Sequence, residues 1–387
     1  MATPVLDLSR SFSRLGRGAP TGIDRVERAY LEEIIRREGW GIIRTPRGFL
    51  MFEPDRLARL PGYFDREDLD GADQASTIRA VASSRSPTLS IRKIMWRMPN
   101  GLAYMNVGHT NLNAKTMRAM MEMPDHSKIV MIHDTIPIDF PEYQTEASRS
   151  KFIERLTTVI NFANKIVVPS DEVRENIEQR MIGTGHRVPV TVAPLGIDMG
   201  PKPLDFERSE KPYFVVIGTI EPRKNHALLL DIWERMNRKM DEDRIPELRI
   251  IGARGWRNEE VFNRLDNASY MGRTVHELGS ISDKEMKRQL AGATGLLFPS
   301  FAEGFGLPPF EAAAFGVPTI SSPLRTTEVH LGDMAIYADP SDMYQWFTAI
   351  RELASENMAE QTQRHSALQA YRLPSWEKHF DRVFDLI

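Results

Sequence analysis

Two carboxylates, Glu303 and Glu311, stand eight positions apart in "PSFAEGFGLPPFEAAAFGVP", residues 299–318, with glycines and the Pro308-Pro309 pair between them. Read as one helix, that spacing is a little over two turns and would set both acids on one face. The glycines and prolines argue otherwise. Pro is tolerated in a first helical turn, so a helix is expected to begin near Pro308 or Pro309, with Glu311 in that turn and Glu303 on the loop before it. The unpaired N–H groups of the helix start would then point at whatever lies between the two acids. Upstream, "GTIEPRKNH" opens on Gly218 and sets Arg223 and Lys224 just ahead of a helical stretch, where cations can meet an anion. Three earlier stretches carry polar groups of the same kind: His133 and Asp134 in "IHDTIPIDFPEY", His109, Asn111 and Asn113 in "NVGHTNLN", and a loose phosphate or sugar loop around Gly22 in "GRGAPTGIDRV".

Each of these also has an ordinary structural reading. An Arg-Lys pair before a helix is commonly solvated surface, a His-Asp pair can be a satisfied strand end, and acids near a helix start simply favour its dipole. The elements around them tip the balance. "KIVMIHD" (128–134), "KIVVPS" (165–170) and "VTVAPLG" (190–196) read as strands, and "SRSKFIERLTTVINFAN" and "SDEVRENIEQRM" have helical spacing. After the Pro-rich, charged linker "IDMGPKPLDFERSEKP" the alternation restarts with "YFVVIGTI" (213–220), "HALLLDIWERMNRKM", "ELRIIGARG", "SDKEMKRQLAGA" and "TGLLFPS" (294–300). Such alternation implies parallel sheets wrapped by helices. All the polar stretches fall at strand ends on one side of two predicted sheets, where open α/β sheets bind ligands. The expected architecture is α/β, two tandem Rossmann-like doubly wound domains with a cleft between them. Residues 1–200 form the first domain, joined by a C-terminal helix at 374–387, and residues 201–373 form the second. Residues 55–90 show the weakest pattern and are expected to be a surface excursion.

Composition excludes several classes. At 387 residues, 41% hydrophobic and 27% charged, the chain is long enough for two ordinary globular cores. The formal net charge of -3 gives no reason to expect a nucleic-acid partner. Cysteine is absent, which removes disulfides and thiol catalysis. No run approaches a membrane span, and the N-terminal stretch is broken by Asp7, Arg10 and Arg14, unlike a secretory signal, so a cytoplasmic protein is the expectation. Arg10, Arg14, Arg17, Arg25 and Arg28 crowd that stretch and would suit peripheral contact with the inner face of a membrane; the interleaved Asp24, Glu27, Glu32 and Glu33 suit a plain helix face equally well.

"GTIEPRKNH", "LGSISDKEMKRQLAGATGLLFPSFAEGFGLPPFEAAAFGVPTISS" and "EVHLGDMAIYADPSD" together resemble the donor domain of family four of the retaining glycosyltransferases, which has the GT-B architecture. "NVGHTNL" and "IHDTIPIDFPEY" are similar, more loosely, to bacterial surface-polysaccharide mannosyl- and rhamnosyltransferases, and "SWEKHFDRVFDLI" resembles the terminal helix of that fold.

The resemblance implies transfer of a hexose from a nucleotide-diphosphate sugar, GDP-mannose being the favoured donor, to a hydroxyl of a saccharide or lipid-linked acceptor. It implies that Arg223 and Lys224 contact the diphosphate, that Glu311 holds the ribose, and that Glu303 touches the transferred sugar. The backbone N–H groups of Phe305, Gly306 and Leu307 would cover the donor's middle, and main chain near Leu278 and Ile281 would read the base. His133 is assigned to sugar or acceptor positioning, with His109 nearby and Asp134 as a candidate to orient His133 or the acceptor. No metal and no cofactor are expected, since the cation pair can carry the charge that Mg²⁺ carries elsewhere. A catalytically silent nucleotide-sugar-binding or scaffolding protein is the alternative.

Overall fold

A computed structural model describes residues 2–17, 20–64, 69–86, 91–121, 126–197, 199–200, 203 and 211–387, so most of the linker read at 197–212 lies outside the described residues. Contacts divide the chain into two units. One comprises Met1–Ile138, Glu146–Leu195 and Trp376–Ile387, and the other Asp139–Thr145 and Gly196–Ser375.

The first unit is built on strands β1 (Thr3–Asp7), β2 (Trp40–Thr45), β3 (Gly48–Phe52), β4 (Ser84–Ser86), β5 (Leu102–Asn106), β6 (Ser127–Met131), β7 (Lys165–Val168) and β8 (Val190–Val192). Their order is β4-β3-β2-β1-β5-β6-β7-β8. Seven of these eight run in one direction, while β3 lies antiparallel to its neighbours β2 and β4. Pro46 and Arg47 alone join β2 to β3, too short a link for anything but a hairpin. The alternation seen in sequence after residue 128 is therefore only the later half of a mixed sheet.

Helices cover this sheet with the apolar faces their spacing provides. Ser170 caps Asp171–Met181 through a bond from Val173 N–H, and Glu146–Phe162 buries Phe152, Leu156 and Val159. The C-terminal helix Trp376–Phe384 belongs to the first unit, where His379 Nε2 meets the Tyr30 hydroxyl at 2.8 Å and Phe380 packs edge-on against the Tyr30 ring.

The second unit holds a wholly parallel sheet of β9 (Tyr213–Ile217), β10 (Glu247–Ile251), β11 (Val275–Gly279), β12 (Gly295–Phe298), β13 (Thr319–Ser321) and β14 (Ala335–Tyr337), in the order β11-β10-β9-β12-β13-β14. Its strands are apolar on both faces because helices lie on both. Trp233 on helix His226–Lys239 and Trp346 on helix Met343–Ala354 are fully buried on Phe214, Leu297 and Ile320. Strands end sooner than their apolar runs. "KIVMIHD" pairs only through Met131, which places His133 and Asp134 on the loop beyond the ladder.

The expected excursion at 55–90 is corrected where it is described. Helices Pro54–Leu57, Pro61–Phe64 and Gly71–Val81 and strand β4 occupy it, and residues 65–68 and 87–90 lie outside the described residues. Asp70 caps Gly71–Val81 by accepting from the N–H groups of Ala72 and Asp73 at 2.8 Å. Only Ile78 and Gln74 of that helix are buried, so a two-residue footing on the core left almost no apolar periodicity to read. Ile78 is 0% exposed, and Ile78→Ala is expected to cost about 2–5 kcal/mol by chemical denaturation, the range for a buried aliphatic truncation. A cost below about 0.5 kcal/mol, typical of exposed surface, would return the segment to an excursion.

Candidate active site

The second sheet reverses its strand order between β9 and β12, and the loops leaving those strands carry the cations and the first acid. After β9, Gly218 takes φ 143° beside the Lys224 stem, where a side chain would come within 3.2 Å of Lys224 Cε. Pro222–Lys224 then form one short helical turn, ended by Asn225 in the left-handed region with its amide donating to Pro340 O at 2.9 Å. Helix His226–Lys239 starts at once, so Arg223 and Lys224 are held between a strand end and a helix start.

After β12, the chain runs to Gly306 at φ 78°, where any side chain would press on the Phe298 ring at 3.1 Å. Helix Leu307–Ala314 follows, with prolines at its second and third positions. Prolines have no N–H, so the donors available at this start come from the chain around Phe305, Gly306 and Leu307. Glu311 sits in the second turn, 5% exposed, and not in the first turn as the proline pair implied. The helix begins at Leu307, ahead of both prolines. The Phe305 ring is buried against Phe310 and His330, with centroids at 4.9 and 5.8 Å, which leaves its backbone for other contacts.

These two loops meet in one ion cluster. Glu303 Oε1 accepts from Lys224 Nζ at 2.6 Å and from Arg223 Nη1 at 2.7 Å. Arg223 also donates to Glu221 Oε1 and to Ala302 O, both at 2.6 Å, and its carbonyl accepts from Phe301 N–H at 2.9 Å. Lys224 is 8% exposed and stands 4.9 Å over the Phe298 ring. Burial would raise the Glu303 pKa, but the charges of Arg223 and Lys224 outweigh it and hold the carboxyl down at about 2. Burial lowers the Lys224 pKa, Arg223 adds to that, and the Glu303 carboxylate opposes both. His226, directly behind, is pushed down to about 3 by burial and then by Lys224, so it is neutral. The structure thus brings Arg223, Lys224 and Glu303 together. Leu278 and Ile281 lie apart from them, on or just after β11, two strands from β9, with side chains packed on the apolar core.

The first sheet has its own switch point, between β1 and β5. His109 follows β5 in the left-handed region at φ 60°, held by a bond from its N–H to Asn106 Oδ1 at 3.0 Å. His109 Nε2 meets Met131 O at 2.8 Å, His133 Nε2 meets Val107 O at 2.7 Å, and the two rings are 5.0 Å apart. Carbonyl oxygens only accept, so each Nε2 carries the proton and each Nδ1 keeps a lone pair. Burial lowers both pKa values, that of His133 to about 4, and keeps both rings neutral. Val107 O orients His133. Asp134 Oδ1 accepts from the N–H of Ile136 at 3.1 Å. Gly22 is the exposed first residue of helix Gly22–Arg36, whose Thr21 cap is closed reciprocally by Asp24.

Near these strand ends Asp7 and Glu221 were not read as site residues in sequence, and Arg10 and Glu27 were read only as a membrane-contact patch or a plain helix face. Asp7, at the end of β1, accepts from Ser9, from Tyr104 at 2.6 Å and from Asn111 at 3.0 Å. Glu27 is fully buried, accepts from Ser11 N–H at 2.7 Å, and is pushed up to about 8 by burial, with Asp7 adding to the shift. Arg10 pairs with Asp24 at 2.6 Å, as Arg14 does at 3.4 Å, so these two arginines face an acid of the same helix face. Glu221 backs Arg223. An acid closing an apolar strand, as in "PVLD", was the available signal for Asp7; nothing local marks Glu27 as buried. Among the described residues no group of three His, Asp or Glu could hold a metal ion, and no helix is long and apolar enough to cross a membrane.

Residues 205–368 match the family model described as Glycosyl transferases group 1. The chain is 28% identical over 224 residues to the Escherichia coli O-antigen chain mannosyltransferase B, covering 56% of this chain and 58% of that protein. It is 24% identical over 352 residues to the E. coli serotype-specific mannosyltransferase WbdA, covering 85% of this chain and 39% of that one. It thus spans well under two-thirds of those two relatives. A Salmonella typhimurium O-antigen chain mannosyltransferase, RfbU, is 22% identical over 72% of this chain and 75% of its own. Among solved structures, Anabaena HepE in complex with UDP-glucose superposes with a TM-score of 0.65 at 12% identity over 100% of this chain and 99% of that one. The trehalose-6-phosphate synthase OtsA gives 0.66 at 11% identity over 100% and 99%. The fold is GT-B, with two Rossmann-like sheets as the sequence implied.

The depressed Glu303 pKa has a consequence for stability. A carboxyl held below its ordinary value of 4.5 contributes stability that is fully present above that pH and is lost as pH falls towards about 2. The term is on the order of 3 kcal/mol for a shift of this size. Thermal melting of the wild type is expected to fall more steeply over that window than melting of Glu303→Gln, which lacks the titrating group. Parallel curves would show that the cluster contributes nothing.

Proposed function

We propose that this chain, which carries a glycosyl transferases group 1 domain in a GT-B fold, is a retaining, metal-independent glycosyltransferase that moves mannose from GDP-mannose to a hydroxyl of a surface-polysaccharide acceptor. The observation that carries the reading is the pair of buried cations at the β9–β12 switch point, joined by one carboxylate. The relatives' names, O-antigen mannosyltransferases, support the sugar and the pathway.

Breaking the bond between a sugar and a nucleotide diphosphate moves negative charge onto the phosphate oxygens and positive charge onto the sugar ring. Arg223 and Lys224 are preorganised for the first, and desolvation makes each charge worth more than in water. The chain N–H groups around Phe305, Gly306 and Leu307 add neutral donors, and Gly218 leaves room for the Lys224 stem. Glu303 serves the second charge: an acid ionised down to about pH 2 is an anion under every working condition and can face a ring that becomes cationic. Glu311 holds the ribose, and the backbone near Leu278 and Ile281 reads the base. His133, neutral with a lone pair on Nδ1, accepts from a sugar hydroxyl, and His109 braces it. Attack on the face from which the diphosphate leaves preserves the anomeric configuration. A saccharide that is lipid-linked would bring the chain to a membrane surface. A silent scaffold would have no use for a buried cation pair whose burial lowers the Lys224 pKa.

In excess EDTA the wild type is expected to retain transfer from GDP-mannose. Under the same conditions Lys224→Ala should lose about 10²-fold in turnover, since one donor aimed at developing charge is worth about 2.7 kcal/mol or more. Loss of wild-type transfer that Mg²⁺ restores would move the charge role from the cation pair to a metal. The two acids should separate by readout. Glu311→Gln is expected to weaken GDP binding in calorimetry and raise the donor KM. Glu303→Gln should lower kcat while GDP binds at least as tightly, because removing that carboxylate unmasks Arg223 and Lys224. Equal weakening of GDP by both variants would overturn the assignment of one acid to the sugar.

A further inference from the structure

The rim that bears Arg223 and Glu303 also bears aromatic surface that none of the roles above uses. Phe301, two residues before Glu303, is 37% exposed, and Trp256, on the loop after β10, is 38% exposed. The segment 139–145, which belongs to the second unit, lies against both. Phe301 stacks on Tyr143 at 5.7 Å with ring planes 13° apart, and Tyr143 stacks on Phe140 at 6.2 Å and 19°. Trp256 Nε1 donates to Tyr143 O at 2.9 Å, and Arg257 takes a left-handed φ of 51° while its guanidinium donates to Gln144 O. A non-glycine residue held in that region is a cost that the surrounding contacts must offset. Both aromatic loops are bonded to the loop that holds the cations: Phe301 N–H donates to Arg223 O at 2.9 Å, and Gly255 N–H to Ile220 O at 3.1 Å.

Taking the transferase reading as its basis, we propose that Trp256, Phe301 and Tyr143 form an acceptor subsite whose ring faces stack on a pyranose of a saccharide acceptor. The single donor of Trp256 is engaged within the protein, so recognition there must use the ring. An aromatic face is electronegative, and one face of a pyranose presents C–H groups carrying slight positive charge, so the two match in shape and sign. The hydroxyls around the sugar's edge stay solvated, which suits a half-exposed platform. A lipid chain would call for aliphatic surface instead; the large exposed hydrophobic side chains at this rim, among the described residues, are flat rings. Because the rings are bonded to the loop of Arg223, a sugar held on them is held relative to the diphosphate cations. The stack thereby converts affinity for a growing chain into position for its terminal hydroxyl.

The test uses the full chain, GDP-mannose, and α-linked mannose oligosaccharides of two to four units as acceptors. Trp256→Ala, and more so its double variant with Phe301→Ala, is expected to raise the acceptor KM about 10-fold, equivalent to 1.4 kcal/mol, with the Kd for GDP within about twofold of wild type. Trp256→Phe should recover most of the loss, since it keeps a ring face, and matched thermal melting excludes misfolding. An unchanged acceptor KM overturns the proposal. So does weakened GDP binding, which would assign the rings to the nucleobase. A second arm is independent of turnover: saturable quenching of tryptophan fluorescence by the four-unit oligosaccharide without donor, present in the wild type and lost in Trp256→Ala. If mannose transfer is absent but this binding is seen, the transferase reading falls and the platform stands; if the wild type shows no saturable binding, the platform falls.

Discussion

One carboxylate shared by two cations governs the second unit. Glu303 comes from the loop after β12, and Arg223 and Lys224 come from the loop after β9, so their contact at 2.6 and 2.7 Å fixes the two loops that flank the switch point. Burying two cations without a partner would be prohibitive, and burying one with an acid is at best near neutral. Two acids answer two cations here, since Glu221 takes the other side of Arg223 at 2.6 Å. The arrangement spends stability to hold charge in a dry place, the condition under which charge acts most strongly on a reacting ligand.

The first unit solves a related problem at its strand ends mainly with neutral partners, its Arg10–Asp24 ion pair lying over the start of helix Gly22–Arg36. Its strand ends carry Asp7, Tyr104, Asn106, Asn111, His109 and His133, nearly all bonded to one another or to carbonyl oxygens. Burial there favours the uncharged forms, raising the pKa of Asp7 and Glu27 and lowering that of both histidines. The cluster in the second unit is thus built on fixed charges, and the strand ends of the first mainly on neutral donors and acceptors, with Arg10 close enough to act on both histidines. A phosphate needs the former, and a sugar hydroxyl is well served by the latter.

How far the sequence could be read follows from where its information is local. The helices at 226–239 and 283–291 carry a clear apolar stripe, the strands β6–β10 and β12 are short apolar runs, and the Gly-Pro punctuation around residues 304–309 marks a loop leading to a helix. The early strands were less legible because β2–β4 form an antiparallel flap whose β3–β4 connection runs through three helices, of which Gly71–Val81 touches the core through two residues. In the site, residue types located Arg223, Lys224 and Glu303 at strand ends. That Glu303 would bond both cations depends on the approach of loops 79 residues apart, which no local pattern encodes. The partner of His133 is non-local in the same way: the Val107 carbonyl that orients it comes from a neighbouring strand end 26 residues earlier. Glu27 looked like one more charge on a polar helix face, and the packing of the residue 9–14 helix and of Gly108 against it makes it a core residue.

The ends of the two sheets bear on how this chain behaves at high concentration. β4 and β8, which border the first sheet, and β14, which borders the second, are three residues each. A strand that short offers one or two free ladder groups, too few to template the addition of a foreign strand, and β4 points arginine outward from its centre. Long, flat parallel sheets are otherwise prone to stack edge to edge while they form. Three of the four borders among the described strands are truncated, β11 at five residues being the exception, which disfavours edge-to-edge pairing without charge repulsion, and a formal net charge of only -3 could scarcely supply that.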